Sequence, residues 1–134
     1  MKTIVRMVDV PINDWNNQTK GTVTLEIADG EFVLLQGPNG SGKSYLLNLM
    51  AALRVPSVGE VFLEGKRLTT MRERQKRAWR AGLGLIPSEP VLLNGYTVLE
   101  GLVLTAQLLG KSAADAKRNA LESASLCGDR KSVV

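Results

Sequence analysis

An α/β fold, with β-structure in front and helices behind, is predicted by three features of the sequence. Apolar and polar residues alternate strictly from Thr22 to Ile27, a glycine-rich octapeptide stands between an apolar run and a helical pattern, and the last third carries two helix-start signals. A length of 134 residues allows one domain, or part of one, with a real core, and not two independent domains. Hydrophobic content of 44% and charged content of 22% are those of an ordinary folded chain, so disorder is not the expected state.

The elements follow in order. Thr3 to Val10 is rich in Ile and Val and reads as a strand ended by Pro11. In Thr22 to Ile27, Val23, Leu25 and Ile27 share one face, as a half-buried strand requires. Asp29-Gly30 suits the positive φ angles of a tight hairpin, and Phe32 to Leu35 then reads as a strand buried on both faces. Tyr45 to Leu53 is built of helix formers and stops before Pro56. Gly59 to Gly65 frames a short strand at Val61 to Leu63. Thr70 and Glu73 have the spacing of a reciprocal cap, which predicts a helix starting there and carrying a basic stripe. Leu83 to Ile86 reads as a further strand, closed by Pro87 and Pro90. Thr97 with Glu100, and Ser112 with Asp115, begin two more helices whose stops are Gly110 and Gly128.

The octapeptide Gly37-Pro38-Asn39-Gly40-Ser41-Gly42-Lys43-Ser44 carries the chemistry. A polyphosphate needs several backbone N–H groups aimed into one small volume, and glycine lets the main chain curl tightly and approach an anion closely. Gly37, Gly40 and Gly42 supply that freedom, and a helix starting near Lys43 adds its unpaired N-terminal donors. Lys43 can reach the β and γ phosphates, and Ser44 is placed to put a hydroxyl on Mg²⁺. The spacing G-x-x-x-x-G-K-S is the P-loop pattern, with the required strand before and helix after. Chance alone gives such a match in roughly one chain of this length in two hundred, so the segment is assigned to nucleotide phosphates, with ATP and Mg²⁺ as ligands.

Other features bound the function. The single cysteine, Cys127, excludes an internal disulfide framework. Arg6, Asp9 and Pro11 interrupt the start, so no export signal is visible. The apolar stretch from Val98 to Leu109 falls short of the roughly 20 residues that span a bilayer. Net charge is +4, yet residues 66 to 80 hold seven basic side chains against Glu73 alone, leaving 10 basic and 12 acidic residues elsewhere. The basic character is therefore a local stripe.

The octapeptide followed by Leu46-Leu47 resembles the ATP-binding cassette (ABC) ATPases. The stretch from Gly59 through Lys66 resembles that family's hairpin, and Gly84 to Glu100 its Q-loop segment. The run from Leu47 through Arg80 is most similar to the branch that powers lipoprotein release and macrolide export. The resemblance implies an ABC-type P-loop NTPase: an N-terminal antiparallel β portion and P-loop core over residues 1–88, then the start of a helical subdomain over 89–134. It also implies an ATPase that couples ATP binding and hydrolysis to transport. The partners would be transmembrane permease subunits and a second nucleotide-binding domain, with the protein cytoplasmic and peripheral on the membrane through the permease. An aromatic side chain stacking on adenine is usual upstream in this family, and Trp15 stands at about the right distance; edge packing on the β-structure would ask for the same residue. The Q-loop glutamine falls on Ser88, whose hydroxyl reaches Mg²⁺ only if the loop moves closer, or through water.

The sequence also departs from the family. After the P-loop no apolar strand ends in Asp-Glu, no Leu-Ser-Gly-Gly signature occurs, and there is no histidine. No catalytic base is identified, and the chain reads as the front part of a nucleotide-binding domain that binds nucleotide with little or no turnover. Strands that would cover Phe32 to Leu35 are expected to be missing, leaving a shortened sheet or self-pairing. The stripe from Lys66 to Arg80 would fit a nucleic-acid-associated cassette ATPase, but a solvated helix face is the commoner fate of such a run. A non-catalytic regulatory module that binds ATP is the remaining alternative, since a small-molecule kinase does not account for the Q-loop-like stretch.

Overall fold

The computed structural model describes residues 1–13, 16, 18–89 and 92–129. They divide into two compact units, Met1–Leu85 and Ile86–Val134. In the first, strands β1 (Thr3–Asn13), β2 (Thr19–Ala28), β3 (Glu60–Leu63) and β4 (Lys66–Arg67) accompany helices α1 (Lys43–Met50) and α2 (Glu73–Ala81). The second holds α3 (Val98–Leu108) and α4 (Ala113–Leu126).

The four strands form one antiparallel sheet in the order β2-β1-β3-β4. Val23, Leu25 and Ile27 of β2 are partly buried against the core while the intervening residues face out, as their alternation requires. β1 runs beyond Pro11 to Asn13. Along β1, β3 pairs with Val5 to Val8, so Pro11 lies where β1 is laddered to β2 alone and its missing donor leaves no central bond unmade. Between Met7 and Val10 the register of β1 slips against β2, with Asp9 at φ 50°. Three steps along β1 match two along β2, so one residue is bulged out. The phase shift brings Val5 and Met7 before the bulge, and Val10 and Ile12 after it, into the same core. Gly59, at φ 79°, lies against the bulge so closely that a Cβ there would run into the Asp9 carbonyl.

The core joins this sheet face to α1. Met7, Val10, Leu46, Leu49, Val61, Leu63 and Leu68 are fully buried side chains. α1 ends in a left-handed residue, Ala52 at φ 53°, with Leu53 N–H donating to Asn48 O and Ala52 N–H to Leu49 O. α2 is then fastened to that end. Trp79 Nε1 donates to Met50 O at 2.7 Å and Arg80 Nη1 to Ala52 O at 2.7 Å, so a cation meets the carbonyl-rich terminus of α1.

Two expected strands do not form. Phe32 to Leu35 and Leu83 to Ile86 lie outside the sheet, and Phe32 is 91% and Ile86 93% exposed. An apolar run becomes a strand only where a neighbour completes its backbone hydrogen bonds, and neither segment has a ladder partner among the described residues. The turn at Asp29-Gly30 does form, with Gly30 at φ 76°, but it does not lead into a hairpin. The expected cap at Thr70 is also displaced. The Thr70 hydroxyl donates to Arg67 O inside a short 3-10 turn, and α2 starts at Glu73, where the Gln75 carboxamide accepts from Arg72 N–H at 2.8 Å.

In the second unit α3 and α4 pack together, and α4 presents Ala116, Ala120 and Ala124, all buried at i, i+4 spacing. The helix starts are those expected. Thr97 and Glu100 exchange hydrogen bonds at the head of α3, and Ser112 Oγ accepts from Asp115 N–H at the head of α4. Gly110 and Gly128 close them at positive φ. Among the described residues no helix is long and apolar enough to cross a membrane.

Candidate phosphate-binding loop

The octapeptide lies in the first unit between the extended segment after Gly30 and α1. Gly40 and Gly42 adopt φ 78° and 89°, the left-handed values for which glycine was singled out. Ser41 N–H donates to Pro38 O at 3.2 Å, closing a tight turn, and Gly42 O accepts from Leu46 N–H at 3.1 Å as the first bond of α1. No side chain caps α1 and no acidic residue stands in its first turn, so the positive end of the helix is left for an external anion.

The loop is seated on β1. A Cβ on Gly42 would collide with Ile12 Cγ2 and would lie 3.6 Å from Asn13 O. Ile12 and Asn13 thus fix the height of the loop above the sheet, and the bulge at Asp9 sets the phase that delivers Ile12 there. Periodicity alone could not reveal this contact, because the bulge changes which residues share a face.

Lys43 folds back over its own loop. Its ammonium donates to Gly37 O at 2.6 Å, to Pro38 O at 2.8 Å and, more weakly, to Ser41 Oγ at 3.4 Å. Ser44 is exposed on the first turn of α1. The residues present suit an anion: glycine-rich main chain, one ammonium, a helix start and two hydroxyls, with no carboxylate in the octapeptide. Ser88 lies in an exposed bend of the second unit, while Trp15 falls outside the described residues.

Comparisons with known proteins agree with this geometry. Residues 21–134 match the ABC transporter family. The lipoprotein-releasing system ATP-binding protein LolD of Xanthomonas oryzae is 37% identical over 99 residues, which cover 73% of this chain and 41% of that protein. LolD of Ehrlichia ruminantium is 39% identical over 115 residues, 83% of this chain and 50% of that protein. The methionine import ATP-binding protein MetN of Thermobifida fusca is 34% identical over 106 residues, 79% of this chain and 33% of that protein. The chain thus spans half or less of the length of these curated relatives. Among solved structures, a dimeric ATP-binding cassette in a post-hydrolysis state bound to ADP and Pi superposes with a TM-score of 0.75 at 27% identity, over 89% of this chain and 55% of that one. The α/β architecture with its antiparallel front portion is that of the P-loop cassette, and the chain belongs to the ABC transporter family.

Proposed function

We propose that this chain is the nucleotide-binding portion of an ABC transporter ATPase and holds Mg·ATP on Gly37 to Ser44. Within it, residues 1–88 make the β-rich part and P-loop core, and residues 89–134 begin the helical subdomain. Main-chain amides from Gly37 to Gly42 cradle the phosphates, Lys43 neutralises them, and the Ser44 hydroxyl reaches Mg²⁺. Trp15 is assigned to the adenine and Ser88 to the Q-loop position. Binding is an exchange: the Lys43 ammonium leaves the carbonyls of Gly37 and Pro38 for phosphate oxygens. The observation that carries this reading is the loop itself, with two glycines at positive φ leading into an uncapped helix.

Hydrolysis needs a group that orients or deprotonates the attacking water in addition to phosphate and Mg²⁺. The first two functions have named residues here and the third has none. The chain by itself therefore binds nucleotide with little turnover. Coupled to permease subunits and a second nucleotide-binding domain at the cytoplasmic face of the membrane, the whole ATPase would drive transport.

Calorimetry with Mg·ATP on the chain and on Lys43→Ala tests the binding. A hydrogen bond to a charged group contributes about 1.5–3 kcal/mol, so Lys43→Ala should weaken affinity roughly ten- to hundredfold. No heat with the parent chain, or equal affinity in the variant, overturns the assignment. Robust, Lys43-dependent phosphate release by the isolated chain overturns the low-turnover reading while leaving the binding site in place.

A further inference from the structure

Three of the eight residues in the phosphate loop are glycines, so its main chain is free by itself to take many shapes. Amides that converge on an anion bind it tightly only where that freedom is limited before the anion arrives, because ordering them on binding costs affinity. The front of the loop is braced from within, by Lys43 on Gly37 O and Pro38 O. That brace is given up when Lys43 turns to the phosphates. The back of the loop is braced from outside, by Ile12.

Ile12 Cγ2 fills the space that a Cβ on Gly42 would take, and the Gly42 carbonyl accepts the first bond of α1. A shift at Gly42 therefore moves the amides on both sides of it, in the loop and in the first turn of the helix. A β-branched side chain is stiff about χ1, so this methyl is presented at one place. Ile12 is packed against the core, and its ladder partner Gly21 has no side chain to compete for the same contact.

Resting on the assignment of Gly37 to Ser44 to nucleotide phosphates, we propose that Ile12 is a positioning residue for that site. Its Cγ2 methyl, acting through Gly42, holds the amides of Gly40 to Ser44 in place for the phosphates and makes no contact with base or sugar. A side chain that merely fills the core is judged by its volume, whereas a prop is judged by one methyl. Valine keeps the Cγ2 methyl and loses volume; leucine keeps the volume and lacks the branch at Cβ.

Calorimetry with Mg·ATP and with magnesium tripolyphosphate, on the whole chain and on Ile12→Val, Ile12→Leu and Ile12→Ala, tests this. Ile12→Val should bind both probes within about twofold of the parent, while Ile12→Leu and Ile12→Ala each weaken both about tenfold. Either of the last two is enough for the comparison, and urea unfolding shows that the variant measured is folded in the assay. Parent-like affinity of Ile12→Leu, or a loss in Ile12→Val that follows volume, reduces Ile12 to core filling and overturns the proposal. So does a loss confined to Mg·ATP, which would place Ile12 against the nucleoside. A parent chain that gives no heat with either probe overturns the phosphate site itself, a failure distinct from that of Ile12.

Discussion

Gly42→Ala perturbs the junction between loop, helix and sheet at one atom. Gly42 sits at φ 89° and ψ 8°, where an L-residue is disfavoured by about 1–2 kcal/mol. The added methyl also meets Ile12 Cγ2, and forcing an atom into a packed site costs about 1–3 kcal/mol. Against this, alanine restricts the unfolded chain more than glycine, which returns about 0.4–1 kcal/mol. The net loss is about 1–5 kcal/mol, a large share of the roughly 5–15 kcal/mol that stabilises a typical domain. Urea unfolding of the parent, Gly42→Ala, Ile12→Ala and the double variant measures it. The cycle should return a coupling of about 1–3 kcal/mol, because removing Ile12 Cγ2 relieves the collision but not the backbone strain. Parent-like stability of Gly42→Ala would refute the close seating of the loop on β1. A loss with no coupling would assign the whole effect to φ and refute the Ile12 contact.

Trp79→Phe removes the donor to Met50 O, so unfolding should become easier by about 1 kcal/mol, read from the urea midpoint. Thr97→Ala deletes the cap of α3 and should cost about 0.5–2 kcal/mol, with helicity falling by circular dichroism. Glu100 is held below the usual carboxylate range, chiefly by the Thr97 backbone N–H and then by its hydroxyl. Its support of α3 is therefore complete above the unfolded value of about 4.3 and fades as pH falls through the lower folded one; Glu100→Gln should abolish that dependence in an acid titration. Phe32→Lys with Leu34→Lys should reduce self-association in sedimentation velocity while changing stability by less than about 0.5 kcal/mol, because both side chains are exposed.

Local chemistry was legible where it acts locally. The left-handed turns at Gly40 and Gly42, the starts at Thr97 and Ser112 and the stops at Gly110 and Gly128 follow from backbone constraints spanning a few residues and appear where expected, whereas Gly37 does not take a positive φ. Strand formation at Phe32 and Leu83 was not decided locally. The same apolar residues read as core on a pattern scale, yet the outcome rests on a ladder partner that those segments do not contain. The start of α2 was misread for a subtler reason. Thr70 and Glu73 have the spacing of a cap, but Thr70 satisfies Arg67 O instead, and Gln75 serves the first turn. The seating of the phosphate loop was invisible because Ile12 reaches it only after an irregularity in β1.

That irregularity makes the length of a strand matter to a loop 30 positions further on in the sequence. Inserting one residue between Met7 and Val10, with no second bulge to absorb it, would turn Ile12 to the opposite side of the sheet and withdraw the prop beneath Gly42. Enlarging Gly59 would press on the same spot from the other side, through the Asp9 carbonyl. Neither change touches a residue of the octapeptide, yet each would alter where its amides point. Spacing in β1 is in that sense an adjustment screw for anion recognition.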